Sequence, residues 1–141
     1  MNQVATGLLT VEILKALHAV EDRLEASLEP LGLSLAKLGV LAKLVAAGEP
    51  LPLGTLAERC ACVRSNITQL VDRLEADKLV ARSDDPKDRR SVRAELTAEG
   101  RALHDAGLTA LQDAERTLLA RLPVRQRELL LPLLQSLRDE G

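Results

Sequence analysis

The residues best suited to chemistry lie in one stretch, Cys62-Val-Arg-Ser-Asn-Ile-Thr-Gln-Leu-Val-Asp-Arg-Leu-Glu75. Ile67, Leu70, Val71 and Leu74 recur at i, i+3, i+4 and i+7, so on a helix they form one apolar stripe that packs inward. At about 100° per residue, Ser65, Asn66, Thr68, Gln69 and Arg73 then fall on or beside the outward face. Asn and Gln amides can bond adenine in bidentate fashion, a guanidinium can bond guanine, and Ser or Thr hydroxyls suit bases or phosphate oxygens. Plain solvation explains a polar helix face equally well, so the flanking sequence has to decide between the two readings.

That flanking sequence is informative on both sides. From Gly54 or Thr55 a short helix carries Leu56 and Ala57 on one side and Glu58 and Arg59 on the other. A three- or four-residue turn at Ala61 to Val63 joins it to the polar-faced helix. Two short helices joined so tightly form a helix-turn-helix. Beyond Lys78 the period changes to two in Leu79 to Arg82 and again in Ser91 to Leu96, which predicts a hairpin with a charged tip over Asp84 to Arg90. Lys87, Arg89 and Arg90, placed directly after a helix-turn-helix, favour a phosphate or minor-groove contact over a solvated loop. Arg90 follows Asp88 by two residues, a spacing at which the carboxylate is expected to hold the guanidinium. The candidate DNA-contact set is therefore Arg64, Ser65, Asn66, Thr68, Gln69, Arg73, Lys87, Arg89 and Arg90. The net charge of −2 argues against bulk nucleic-acid binding, but residues 59–93 carry nine Lys or Arg against six Asp or Glu, a local +3. A basic segment in an acidic body still supplies a local electrostatic footprint.

The elements that must position these residues are helical. Leu and Ala dominate the 46% apolar content and Phe, Tyr and Trp are absent, a composition that favours helix over strand. Leu9, Ile13, Leu17, Val20, Leu24 and Leu28 mark a long amphipathic helix over 8–29, stopped by Pro30 and Gly32. Ser34 is expected to cap a second helix with Leu35, Leu38, Leu41, Ala42 and Val45 inward and Gly48 as its stop, followed by a connector, Glu49 to Pro52. Thr97 caps a long helix over 98–121. Pro123 fits the first position of a leucine-rich final helix that Pro132 kinks or breaks. The chain of 141 residues is read as a single domain over 1–141, mainly α with a small β-hairpin wing. Residues 53–97 form a winged helix-turn-helix, and 8–48 with 98–139 a helical scaffold. The final helix carries more apolar surface than a lone small domain can cover, which points to a homodimer.

Other chemistries are poorly supplied. Cys60 and Cys62 occupy apolar positions of the turn and read as small core hydrophobes, although Arg59 and Arg64 would activate a thiol that was exposed. No histidine stands at zinc-site spacing from them, so no metal and no cofactor is expected. No nucleophile elbow, phosphate loop or dinucleotide fingerprint is present, which argues against an enzyme. The N-terminal residues show no secretory signal, and the longest strongly apolar run, Leu129 to Leu137, is too short for a membrane span. A cytoplasmic protein with no membrane partner is expected.

Residues 53–101 resemble the MarR family of winged helix-turn-helix transcription regulators. The resemblance rests on Asp88-Arg-Arg90-Ser-Val-Arg-Ala-Glu-Leu96-Thr97 with Glu99-Gly100-Arg101, on Leu70-Val-Asp-Arg-Leu-Glu75 and on Leu56-Ala-Glu-Arg59. It implies a homodimer whose terminal helices build the interface and which grips a pseudo-palindromic operator in double-stranded DNA. The helix containing Gln69 would enter the major groove and the Arg90 wing the minor groove. It also implies a repressor released by a small-molecule effector, held between the first helices and the long helix after the wing, where His18 and His104 offer polar groups. Two departures stand out: Cys60-Ala-Cys-Val63 replaces the family's Leu-Gly-Val-Ser turn, and the aromatic residues that often line the effector crevice are missing. Two alternatives remain at this level, a protein-binding helical module without operator recognition and a cysteine-based redox sensor.

Overall fold

Caps and left-handed residues punctuate the chain into short rigid pieces. A computed structural model describes residues 7–60 and 64–139. Among these, α1 (Leu9–Leu28) passes into a 3₁₀ turn, Glu29–Leu31, and stops at Gly32 with φ 70°. Helix α2 (Leu35–Ala47) begins where the Ser34 hydroxyl accepts the Lys37 amide at 3.1 Å and ends at Gly48 with φ 68°. There follow β1 (Leu51–Pro52), α3 (Leu53–Arg59), α4 (Arg64–Ala76), β2 (Val80–Asp85), β3 (Asp88–Leu96), α5 (Ala98–Leu119) and α6 (Val124–Arg138). The turn at Ala61 to Val63 lies outside the described residues, as does Cys62.

The end of α4 is closed differently from that of α2. The Leu79 amide donates to the Leu74 carbonyl at 2.9 Å and the Lys78 amide to Glu75 at 2.9 Å. Such a pair of bonds needs a left-handed residue between helix and strand, and here Lys78 takes it, with φ 64°. A side chain in that region strains the backbone where glycine would not.

The strands form one antiparallel sheet in the order β1-β3-β2, with Leu51 opposite Ala94 and Val80 opposite Leu96. Two expectations are corrected here. The connector at Glu49 to Pro52 contributes a strand, because Leu51 reaches the core and its backbone finds partners on β3. The charged hairpin tip shrinks to a turn at Pro86 and Lys87, because cross-strand pairing carries the strands on through Asp85 and Asp88.

The core lies where α2, α3, α4 and the sheet meet. Leu28, Leu41, Leu56, Ile67, Val71, Leu74 and Val80 are fully enclosed there. On α2 the deeply buried set is Leu38, Val40, Leu41 and Leu44, whereas Leu35, Ala42 and Val45 are only half-buried. The helix turns Val40 and Leu44 inward because it is covered from two sides, by α5 and by the helix-turn-helix. On α1 and α6 many apolar residues find no cover among the described residues. Leu9, Leu14 and Leu17 on α1 are 63%, 52% and 49% exposed, and Leu129, Leu133 and Leu137 on α6 are 62%, 61% and 65% exposed. Ile13, on the same apolar stripe as Leu9 and Leu17, is likewise exposed. Helix α6 runs through Pro132 without a break, and Pro123 serves as its N-cap rather than its first residue. No single helix among the described residues is long and apolar enough to cross a membrane.

Candidate nucleic-acid interface

Helix α4 has the two faces its sequence requires. Ile67, Val71 and Leu74 are fully buried and lock it against the core, while Asn66, Gln69 and Arg73 are exposed on the other side. Thr68 is half-buried at the flank. Arg64 and Ser65 open the helix, and their side chains lie outside the described residues. Asn66, Gln69, Leu70 and Arg73 share a cleft of about 280 Å³ with Ala36 of α2. Amide and guanidinium groups thus stand in a row along one accessible groove, as base-edge or phosphate contacts require.

The wing brings its three cations together at one end. Lys87 sits in the turn, where the Asp85 carboxylate accepts its amide at 2.9 Å. Between the pairs Asp85 with Asp88 and Asp84 with Val92, β3 carries Arg89, Arg90 and Ser91 opposite no residue of β2. That bulge pushes both arginines out of the ladder, and both are exposed. The Asp88 carboxylate accepts the Arg90 backbone amide at 3.0 Å, not its guanidinium. Asp88 therefore fixes the backbone that carries Arg90, a correction to the contact expected from spacing.

A joint between helix and wing escaped the sequence reading. The Arg82 guanidinium, on β2, bonds the Asp72 carboxylate and donates to the Thr68 carbonyl at 3.4 Å, with Glu75 Oε1 3.9 Å away. Its backbone amide donates to Glu75 Oε2 at 3.2 Å. The usable signal was the period of two, which places Arg82 on the same side as buried Val80 and so demands a carboxylate partner.

A second joint ties this unit to the scaffold. The Thr97 hydroxyl accepts the Gly100 amide at 2.9 Å and donates to the Lys78 carbonyl at 2.7 Å, while the Thr97 amide donates to Leu79 at 3.1 Å. One residue thus caps α5 and holds it to the end of α4.

The remaining candidates separate. Cys60 is half-buried against the core cluster. His18 is exposed on α1, whereas His104 is buried on α5 with Nδ1 3.0 Å from Asp105 Oδ1. Neither histidine lines the cleft of about 340 Å³ between the end of α2 and the start of α5, which is bounded by Leu44, Glu49, Glu95, Leu96, Thr97 and Arg101 among others.

A helix-turn-helix followed by a two-stranded wing, carried on long helices, defines the winged helix-turn-helix class. Within that class, residues 31–91 match the pattern of the MarR family. It is 38% identical over 81 residues to the HTH-type transcriptional repressor MdtR of Bacillus subtilis (strain 168), covering 57% of this chain and 52% of that one. The chain spans about half the length of the curated relatives it matches. Among solved structures it is similar to a probable transcriptional regulator from Pseudomonas aeruginosa, 31% identical with a TM-score of 0.76 over 92% of this chain and 98% of that one. It is also similar to the transcriptional repressor CouR bound to a 23-mer DNA duplex, 26% identical with a TM-score of 0.85 over 99% and 98% of the two chains.

Proposed function

We propose that the protein is a sequence-specific DNA-binding transcription regulator of the cytoplasm, a homodimeric repressor released by a small-molecule effector. One observation carries this reading. Asn66, Gln69 and Arg73 are exposed along a helix whose other face is locked in the core, and a wing fixed to that helix presents Lys87, Arg89 and Arg90. Readers of this class place the helix in a major groove and a neighbouring arm or wing against phosphate or minor groove. The similarity to MdtR, a transcriptional repressor, and to CouR, a repressor solved on DNA, supports the same reading. The protein-binding alternative has no use for three cations gathered on a bulged wing.

Dimerisation follows from the uncovered leucines of α1 and α6, which form the kind of apolar surface that marks an interface. A two-fold dimer reads a site of matching symmetry, so the operator is pseudo-palindromic. The effector reading is supported by the cleft between α2 and α5, because a ligand there would touch both the scaffold and the Thr97 joint to the helix-turn-helix. Selection of bound duplexes from random-sequence DNA tests the whole reading. An enriched inverted repeat with half-sites about one helical turn apart is expected. Absence of any enriched sequence at low salt would favour a protein-binding module.

A further inference from the structure

Arg82 lies in the middle of the DNA-reading unit and carries a positive charge, so its default role would be a phosphate contact. Its surroundings point elsewhere. The side chain is only 29% exposed, and Nε is buried without a hydrogen-bond partner among the described residues. The rest of the guanidinium is turned onto α4, on Asp72, the Thr68 carbonyl and Glu75. Glu75 also accepts the Arg82 backbone amide, so strand and side chain are held by the same helix. Thr68 and Asp72 lie one turn apart, and between them is Gln69, which faces the groove.

We propose that Arg82 is a positioning residue which, through Asp72 and Glu75, sets the angle between the reading helix and the wing, and that it makes no contact with DNA. The inference rests on the DNA-binding reading above. The geometry gives it leverage. Lys87 is five residues along the strand from Arg82, about 17 Å at strand rise, so a rotation of about 10° at the joint moves the wing tip about 3 Å. That shift exceeds the tolerance of a hydrogen bond, and the wing arginines would have to be re-ordered at each binding event. The guanidinium also offsets one of the two negative charges that Asp72 and Glu75, 55% and 43% exposed, place on a helix that approaches phosphates.

The sign of one substitution separates the two roles. Asp72→Asn removes a negative charge beside the DNA, so if Arg82 were a phosphate contact the freed guanidinium would bind DNA more tightly. If Arg82 positions the wing, Asp72→Asn weakens binding as Arg82→Ala does. Titrations of the dimer on a selected duplex should show both variants weakened on the order of tenfold, the scale of ordering one or two side chains. The slope of log affinity against log salt should stay at the parent value, because no phosphate contact is lost. Glu75→Gln should change in the same direction by less, since its carboxylate is farther from the guanidinium. Amide hydrogen exchange on the free protein gives a readout that needs no DNA. Both variants should speed exchange along β2 and the wing while α1 and α6 stay at parent rates. If Asp72→Asn binds more tightly, or Arg82→Ala lowers the salt slope by about one, Arg82 is a DNA contact and the proposal fails. Unchanged exchange in both variants also overturns it. A parent protein that selects no duplex, with exchange still faster in the variants, instead sinks the DNA reading and leaves the joint standing.

Discussion

Gly100 and Gly39 are both helical glycines, and the same change to alanine should move them in opposite directions. A β-carbon on Gly100 would stand 2.0 Å from the Leu79 carbonyl oxygen and 2.9 Å from Leu96 Cδ1. The oxygen is backbone and cannot rotate away, so α5 must retreat from the strand by about 1 Å to restore contact distance. The Thr97 bonds to Lys78 and Leu79 span that same gap at 2.7 and 3.1 Å and would lengthen together. Overpacking costs about 1–3 kcal/mol, and each weakened hydrogen bond adds about 0.5–1.5 kcal/mol. Gly100→Ala should therefore destabilise by about 3 kcal/mol and lower the melting temperature by roughly 10 °C. A β-carbon on Gly39 meets nothing within 4 Å, so Gly39→Ala should gain about 0.5–1 kcal/mol from helix propensity alone. Thermal melts followed by circular dichroism on the two variants make the comparison. A Gly100→Ala protein that melts at or above the parent would refute the argument that α5 is docked on the Leu79 carbonyl.

Further changes probe the interface and the scaffold. On a selected operator, Gln69→Ala should relax preference in the centre of each half-site and Arg90→Ala should cost about 1–3 kcal/mol at its flanks. Lys87→Ala, at a proposed phosphate contact, should weaken all sequences alike and lower the salt slope by about one; equal affinity for Arg90→Ala and parent would reduce the wing to a solvated loop. Leu133→Glu with Leu137→Glu should turn a sedimenting dimer into a monomer at micromolar concentration, and an intact dimer would place the interface away from α6. Lys78→Gly relieves a left-handed side chain and should raise stability by about 1 kcal/mol, as measured by urea denaturation; a loss would mean that the Lys78 side chain contributes contacts of its own.

What could be read from the chain in advance followed from local rules. Ser34 and Thr97 are small hydroxyl residues standing just before apolar periodicity, and both do cap helices. Of the stripe Ile67, Leu70, Val71 and Leu74, all on one helix, three residues are fully buried, while Leu70 is half-buried and lines the cleft beside Gln69. Features that depend on a distant partner stayed hidden. Leu51 and Pro52 are too few to show a period, and only β3 makes them a strand. Asp85 and Asp88 look like loop residues until cross-strand pairing extends the strands through them. Spacing alone put the Arg90 guanidinium on Asp88, but the backbone amide is nearer and takes the carboxylate. Arg82 reaches a helix carbonyl 14 positions back, a contact no local window contains. Ile13 and Leu17 belong to an apolar face that a helical period reports without saying whether the same chain covers it.

The α4 face and the wing are together proposed to read DNA sequence, and a paired titration is the direct check. The protein is titrated against its selected duplex and a scrambled duplex of equal length, at several salt concentrations. The selected duplex should bind at least about a thousandfold more tightly near physiological salt, with affinity falling steeply as salt rises. Equal affinity for the two duplexes at every salt concentration would contradict it.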